Sequence, residues 1–374
     1  MYYDFAKAFD KVPRARLINK LKSVGISGHL LKWISNWLTG RKQRTVINGA
    51  KSSWSEVLSG VPQGSVLGPL LFVIFINDID MCATILTLLL KFADDTKSGN
   101  EIRSQSDSLE IQQCIDNMVE WANNWGMKFN EKKCKVMHFG RSNPNHTYHM
   151  NGVMLEKVTN EKDIGVTVSD NLKPSEHCKI IAQTARGVLG QLLRSFLSRD
   201  KVIFKNLYTT YVRPHLEFTS QAWNPWHSKD IELLEDIQRK FVRNVTGLTG
   251  TTYEEKLVEL GLLSLKDRRT YLDLVETYKI VYSISCRDPT IYFEFTGRQR
   301  SRITRFTEYP RNIVVKRCNL DTRRNFFTQR VAEPWNRLPI EIKDAPRVEL
   351  FKKRLKNYMM ATHPINEGTE DIEH

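Results

Sequence analysis

The sequence predicts an α+β fold in which strands and helices are mixed up to about residue 171 and helices dominate afterwards. Two observations support this prediction. Short β-rich segments beside turn residues lie before residue 171, and longer segments with apolar residues at helical spacing follow Ser175. With 374 residues, 41% of them apolar and 26% charged, the chain has the composition of a globular protein of two or three domains. Disordered, collagen-like and mucin-like classes are therefore excluded.

Residues 1–171 combine both kinds of element. Asn48-Gly49 is a hairpin-turn signal at the end of the β-rich residues 44–48. Residues 66–76 are apolar on every side, which predicts a fully buried helix, and residues 86–92 (LTLLLKF) predict a buried strand. The other predicted elements are helices over residues 14–22, 29–38 and 109–122 and short strands over residues 127–129 and 136–139. Residues 162–169 include one more predicted strand (IGVTV).

After residue 171 the pattern is mainly helical. Apolar residues recur every three or four positions in three segments, which begin with Ile181, Ile231 and Tyr271. Soft boundaries near residues 172 and 250 divide the chain into four predicted regions. These are residues 1–171, a helical region 172–250, a basic helical region 251–362 and an acidic tail 363–374.

A positive charge excess is concentrated toward the C-terminal end. The chain has 56 Lys and Arg against 42 Asp and Glu, which gives a net charge of +14. Residues 298–356 alone contain 17 Lys and Arg against 6 Asp and Glu, so 17 − 6 = +11. Because Phe326, Phe327 and Trp335 are interleaved with these cations, the segment is predicted to bind a nucleic-acid backbone. A solvated helical surface is the simpler alternative.

The six cysteines are far apart, and none forms a Cys-x-x-Cys pair. This pattern argues against a disulfide scaffold or a zinc site and favours a reducing compartment. The N-terminus has no apolar signal region, and the most apolar stretch, residues 66–76, is too short to span a bilayer. We therefore expect an intracellular protein of the nucleus or cytoplasm that is neither secreted nor bound to a membrane.

Asp94 and Asp95 are the first candidates for chemistry. Adjacent residues of a flat strand point to opposite faces, but at a hairpin turn two neighbouring aspartates can share one site. Residues 86–92 supply the incoming strand for such a turn. Two carboxylates side by side repel each other unless a cation lies between them, and hard oxygen ligands favour magnesium. Taken alone, the pair is more simply explained as a solvated turn.

Two further segments carry candidate residues. Asp4 follows Tyr2-Tyr3, which has β propensity, and a strand ending beside Asp94 would add a third carboxylate to a two-metal site. Asp10, taken alone, is more simply explained as a helix N-cap. In residues 59–69 (SGVPQGSVLGP), glycines and a proline bracket Gln63, which lets the backbone approach a flat or anionic ligand. The alternative is a loop that only starts a helix.

Together and in this order, these segments resemble the palm of reverse transcriptases, most closely those of LINE-type (non-LTR, jockey-like) retrotransposons. DFAKAFD is similar to the first palm motif, SGVPQGSVLGPLLF to the second, FADD to the third and WGMKFNEKKCKVMHFG to the fourth. YVRPHLEFTSQAWNP, LLEDIQRKFVRNVTG and FFTQRVAEPWNRLP are similar to thumb and C-terminal segments. The resemblance implies a right-hand polymerase palm, an antiparallel sheet with helices, over residues 1–171. A thumb-like region would follow over residues 172–250.

The resemblance implies that Asp4, Asp94 and Asp95 hold two magnesium ions, with the carbonyl of Phe5 as a further ligand. The reaction would be nucleotidyl transfer from a dNTP to the 3′-hydroxyl of a DNA primer on an RNA template. The metals would activate that hydroxyl and stabilise the leaving pyrophosphate.

The resemblance also implies roles for three residues beside the metals. Phe9 would lie under the sugar and reject a 2′-hydroxyl, and Gln63 would contact the nucleotide. Lys133 would protonate pyrophosphate as it leaves. The simpler explanation is core packing for Phe9 and a solvated turn for Lys133.

The chain starts at the first palm motif, and the fingers region that precedes this motif in the family is not among its residues. Two expectations follow. The first is an RNA-directed DNA polymerase that works alone or with a fingers-supplying or full-length retroelement protein. The second is a truncated, catalytically dead remnant that only binds nucleic acid. Both predict salt-dependent binding, and only the first predicts metal-dependent nucleotide addition.

Overall fold

The computed structural model describes residues 1–84, 87–285, 287–298 and 310–362. The chain divides into two compact units, Met1–Asn160 and Glu161–His374. The predicted acidic tail and Cys286 lie outside the described residues. The assignment of palm, thumb-like and C-terminal regions stays a prediction, whereas the mixed character of the first part and the helical character of the second are confirmed.

A five-stranded sheet lies at the centre of the first unit. Across the sheet the strands are Glu156–Lys157, Lys135–Val136, Tyr2–Tyr3, Asp95–Gly99 and Leu88–Phe92. Neighbouring strands run antiparallel, except that the first two are parallel. We name Tyr2–Tyr3 the central strand. We name Leu88–Phe92 and Asp95–Gly99 together the aspartate hairpin.

Helices of the first unit pack with this sheet into one hydrophobic core. They are Ala8–Lys11, Arg14–Ser23, Gly28–Leu38, Leu67–Ile76 and Gln105–Trp125, with a 3₁₀ segment at Asn77–Cys82. Small two-stranded pairings are formed by Lys42–Gln43 with Ser55–Glu56, by Val46–Ile47 with Ala50–Lys51 and by His149–Met150 with Val153–Met154. The Asn48-Gly49 turn is confirmed, since both residues have positive φ angles of 48° and 84°.

The helix Gln105–Trp125 shows how local signals set an element. Ser104 accepts a hydrogen bond from the backbone N–H of Asp107, whose side chain bonds back to the Ser104 backbone. This capping box starts the helix, and Gly126 ends it in the left-handed conformation with a φ of 71°. The buried face carries apolar residues at helical spacing, namely Ile111, Ile115, Met118 and Ala122.

Two apolar segments are less buried than the sequence predicts. In the helix Leu67–Ile76, Leu70 and Val73 are 55% and 47% exposed. The strand Leu88–Phe92 lies at the edge of the sheet and exposes one face, with Leu88, Leu90 and Phe92 at 60%, 49% and 63%. The prediction of complete burial was therefore wrong for both. Composition shows that a face is apolar, but tertiary neighbours decide whether it is covered.

The short strands predicted over residues 127–129 and 136–139 are also only partly present. Of residues 127–129, only Phe129 pairs, in an isolated bridge with Phe5. In place of residues 136–139, the strand covers Lys135–Val136. The strand predicted within residues 162–169 (IGVTV) is present as Val166–Ser169, which pairs with Asn160–Asp163 in a hairpin.

Beyond that hairpin, the second unit is helical and contains two hydrophobic cores among its described residues. One includes Phe204, Tyr208 and Phe241, and the other includes Tyr278 and Trp335. Its longer helices are Ser175–Ser195, Lys201–Leu207, Ser228–Arg243, Tyr253–Leu260, Leu265–Val281 and Val348–Ala361. Shorter helical segments are Tyr208–Val212, Arg213–Glu217, Ser220–Trp223, Pro289–Tyr292, Thr296–Arg298, Asp321–Arg324, Phe327–Arg330, Ala332–Arg337 and Ile340–Lys343.

None of the helices in the described part of the chain is both long and apolar enough to cross a membrane. The five cysteines within that part are free thiols.

Candidate active site

Strand pairing brings Asp4 next to the turn of the aspartate hairpin. Tyr3, on the central strand, pairs antiparallel with Thr96. Because antiparallel register advances by one residue in opposite directions, Asp4 lies opposite Asp95, one position beyond the paired residues. A buried hydrogen bond of 2.8 Å between the hydroxyls of Tyr3 and Ser98 fixes this register.

Both backbone groups of Asp4 are anchored on the other side of the strand. Its N–H donates to the Sγ of Cys134 at 3.4 Å, and its carbonyl accepts the N–H of Asn130 at 2.8 Å. Burial raises the pKa of the Cys134 thiol to about 11, so this neighbour is neutral near pH 7. The backbone of Asp4 is therefore held in place, and its side chain, 40% exposed, extends into solvent.

Asp94 occupies the turn of the hairpin, as the sequence predicts. Phe92 and Asp95 form the last pair of the two strands, which leaves Ala93 and Asp94 as a two-residue turn. Ala93 has a φ of 54°, in the left-handed region that a non-glycine residue adopts at a cost of roughly 1–2 kcal/mol. The tight turn thus places Asp94 and Asp95 side by side at the end of the hairpin.

These three aspartates fit a magnesium site in donor type and backbone position. Asp94 is half-buried and Asp95 is exposed. Their side chains are not gathered, however, since no group of three or more acidic, histidine or cysteine side chains among the described residues is arranged to hold a metal ion. Three carboxylates of like charge repel one another when no cation lies among them.

The pairing of Phe5 directs its carbonyl toward the hairpin. Phe5 forms an antiparallel bridge with Phe129, and the hydrogen bonds flanking it are made by Asp4 and Ala6. In this type of pair the residue's own N–H and C=O point away from the partner strand. The Phe5 carbonyl therefore faces the side of the central strand where the aspartate hairpin lies. The ring is buried and stacks on Phe129 at 4.3 Å between centroids.

Lys133 lies at the same cluster. Its ammonium Nζ is 3.7 Å from the Oδ2 of Asp4, and the side chains are 66% and 40% exposed. An ion pair this exposed contributes little to stability. The pair matters because it shows that Lys133 and Asp4, which belong to different motifs of the sequence, lie next to each other.

The loop of residues 59–65, which we name the glutamine loop, packs on the segment that follows Asp4. The N–H of Gly60 donates to the carbonyl of Val12 at 2.8 Å, and the N–H of Val61 donates to the carbonyl of Phe9 at 2.9 Å. Gly60 has a φ of +84°, and a Cβ added to it would lie 2.7 Å from the Cα of Asp10. Only glycine fits this approach.

Gln63 makes a contact that the sequence did not reveal. Its Nε2 donates to the Oδ1 of Asp10 at 3.1 Å. The interpretation of Asp10 as a helix N-cap was wrong, because it lies within the helix Ala8–Lys11, whose N-cap is Lys7, and the next helix follows Pro13. A contact between residues 53 positions apart leaves no local pattern, so only the fold could show it.

Phe9 is half-buried and stacks on Phe72, with 4.5 Å between centroids and 16° between planes. The packing explanation is therefore confirmed. A role under a sugar stays a prediction, and the two are compatible.

The segment that contains this site matches a known protein family, and the chain has curated relatives. Residues 1–185 match the family described as reverse transcriptase (RNA-dependent DNA polymerase). The RNA-directed DNA polymerase from mobile element jockey of Drosophila melanogaster is 26% identical over 260 residues, and that of Drosophila funebris is 29% identical over 262. The probable RNA-directed DNA polymerase from transposon X-element of Drosophila melanogaster is 28% identical over 256 residues.

Each of these three matches covers 66% of this chain and 28% of the relative, so the chain spans less than a third of the length of these relatives. The family match contains the five-stranded sheet, the aspartate hairpin and the glutamine loop. Residues 1–185 therefore match the reverse transcriptase family, and the chain is similar in sequence to RNA-directed DNA polymerases of LINE-type non-LTR retrotransposons.

Proposed function

We propose that the chain is an RNA-directed DNA polymerase of a non-LTR retrotransposon. It would transfer nucleotides from dNTPs to the 3′-hydroxyl of a DNA primer paired with an RNA template. One observation carries the proposal: Asp4 lies opposite Asp95 and beside the turn at Asp94, within the segment that matches the family. Because the relatives are named as polymerases, we place a remnant that only binds nucleic acid second.

Asp4, Asp94 and Asp95 would hold two magnesium ions, with the Phe5 carbonyl as a further ligand. Carboxylate and carbonyl oxygens are hard donors of the kind that magnesium prefers. The chemistry that magnesium supplies when bound is acidification of the primer hydroxyl and neutralisation of charge on the triphosphate. The chain contributes position, since strand pairing and a two-residue turn hold the backbones of these residues side by side.

Lys133 is the proposed proton donor to pyrophosphate. Its ammonium lies 3.7 Å from the carboxylate of Asp4, and its side chain is 66% exposed. It is therefore close to the proposed metal site and accessible to a substrate. Gln63 is the proposed nucleotide contact. Its amide is exposed on the glutamine loop and is oriented by Asp10.

Primer extension on an RNA template tests the proposal directly. We expect the purified chain to add nucleotides with dNTPs and magnesium, to stop completely in EDTA and to recover when excess magnesium is restored. Binding to the template–primer should weaken with added salt, both with magnesium and in EDTA. A chain that binds in this way but adds no nucleotide at any magnesium concentration would contradict the proposal and support the binding-only remnant.

Phe9→Val is expected to raise the use of ribonucleotides by about tenfold relative to deoxyribonucleotides, because a smaller side chain leaves room for the 2′-hydroxyl. The measurement is the ratio of kcat/KM for rNTP and dNTP. Phe72→Leu is the matched control, since it removes the same ring stacking and leaves Phe9 in place. Equal ratios in wild type and Phe9→Val would exclude Phe9 from sugar selection.

A further inference from the structure

Phe326 is an exposed aromatic side chain shared by two clefts of the second unit. The larger cleft has a volume of about 550 Å³, and its lining includes Lys316 and Arg323. The smaller has a volume of about 210 Å³, and its lining includes Lys173 and Trp226. Phe326 lines both, and 53% of it is exposed.

The other two aromatic residues of the basic segment serve the core. Trp335 is fully buried, and Phe327 is partly buried against the same core. The indole of Trp335 has no exposed face and therefore cannot take part in the nucleic-acid surface predicted for residues 298–356. Phe326 is thus the residue of these three with an accessible ring, and its position is not explained by packing.

One cation lies over the ring, and another lines the larger cleft with it. The guanidinium carbon of Arg323 is 5.4 Å from the Phe326 ring centroid. Lys316 also lines the larger cleft, where its Nζ pairs with Glu294 at 2.9 Å. The described part of the basic segment, residues 310–356, has 13 Lys and Arg against 5 Asp and Glu, so 13 − 5 = +8. An exposed aromatic ring between clefts, bordered by cations, is the composition of a surface that binds single-stranded nucleic acid.

We propose that Phe326 is a stacking platform for unpaired bases of a single-stranded nucleic acid whose phosphates contact Arg323. The clefts on which Phe326 borders give room for flat groups beside the ring, and phosphate is the natural partner of the guanidinium. An apolar peptide would use the ring but would leave the positive charge without a function. This surface lies outside the segment that carries the aspartates, so the proposal does not depend on catalysis by them.

Fluorescence anisotropy of a labelled single-stranded oligothymidine, measured with the full chain in EDTA and without dNTP, tests the proposal. We expect Phe326→Ala to weaken binding about tenfold. Phe326→Trp should keep wild-type affinity, whereas Phe326→Leu should resemble Phe326→Ala because it retains bulk but lacks a π face. Leu320→Ala is the control. It removes a side chain that is 68% exposed in the same segment, and its affinity should not change.

Three results would overturn the proposal. The first is wild-type affinity of Phe326→Leu for the single strand. The second is a loss of affinity in Leu320→Ala as large as that in Phe326→Ala. The third is that Phe326→Ala loses as much affinity for a duplex of the same length as for the single strand. Circular dichroism checks that each variant is folded, and the exposed position of Phe326 makes unfolding unexpected. Because the assay contains EDTA and no dNTP, it requires no nucleotide addition, so a failure of the proposed polymerase activity leaves this test unaffected.

Discussion

Replacing Asp94 by alanine is expected to lower magnesium-dependent primer extension by about 10³-fold or more, since it removes a carboxylate from the proposed metal site. Asp94 lies at the two-residue turn beside Asp95, and Asp4 lies opposite on the central strand. The side chain is half-buried at the end of a hairpin, so its removal leaves no core cavity. The measurement is the single-turnover rate of nucleotide addition at saturating template–primer.

Asp116→Ala is the matched control for this substitution. Asp116 is an exposed aspartate of the helix Gln105–Trp125, and it accepts a hydrogen bond from Gln112 at 2.9 Å. It should keep full activity. Asp94→Ala should also be at least as stable as wild type without magnesium, because one of several mutually repelling carboxylates is gone. Activity in Asp94→Ala comparable to that of Asp116→Ala would show that the aspartate hairpin does not carry the chemistry.

The elements that the sequence predicts well are those whose signals are local. Asn48-Gly49 forms its turn because both residues adopt positive φ without a tertiary partner. Asp94 is at a hairpin turn because a β-rich segment leads directly into turn residues. The helix Gln105–Trp125 begins at a capping box and ends at a glycine, and both are readable in sequence.

Predictions that needed tertiary neighbours were wrong or incomplete. The helix Leu67–Ile76 and the strand Leu88–Phe92 each expose an apolar face, which composition alone cannot distinguish from a buried one. Asp10 resembles an N-cap in isolation and instead receives the amide of Gln63. Neither the pairing of Asp4 with the hairpin nor its ion pair with Lys133 follows from local pattern. The family resemblance led to both residues because it carries tertiary information that spacing does not.

Gly60→Ala is expected to lower the free energy of unfolding by about 3 kcal/mol or more. One part is the cost of a left-handed backbone at alanine, and the other is the cost of overpacking. The added Cβ would lie 2.7 Å from the Cα and carbonyl oxygen of Asp10 and from the carbonyl oxygen of Phe9. These are backbone atoms, so no side-chain rotation relieves the clash. The hydrogen bonds of Gly60 to Val12 and of Val61 to Phe9 would have to lengthen. Urea unfolding of the full chain, followed by tryptophan fluorescence, measures the loss.

Gly25→Ala separates the two causes of that loss. Gly25 has nearly the same backbone angle as Gly60, with φ values of +88° and +84°, but no atom lies within 4 Å of the Cβ position. It should therefore cost only the conformational part, about 1 kcal/mol. The difference between the unfolding free energies of the two variants then measures the cost of the steric clash between the glutamine loop and the segment after Asp4. Because that approach places Gln63 beside Asp10, Gly60→Ala should also lower dNTP affinity, whereas Gly25→Ala should not. Equal losses of stability in both variants would mean that the loop does not need this contact.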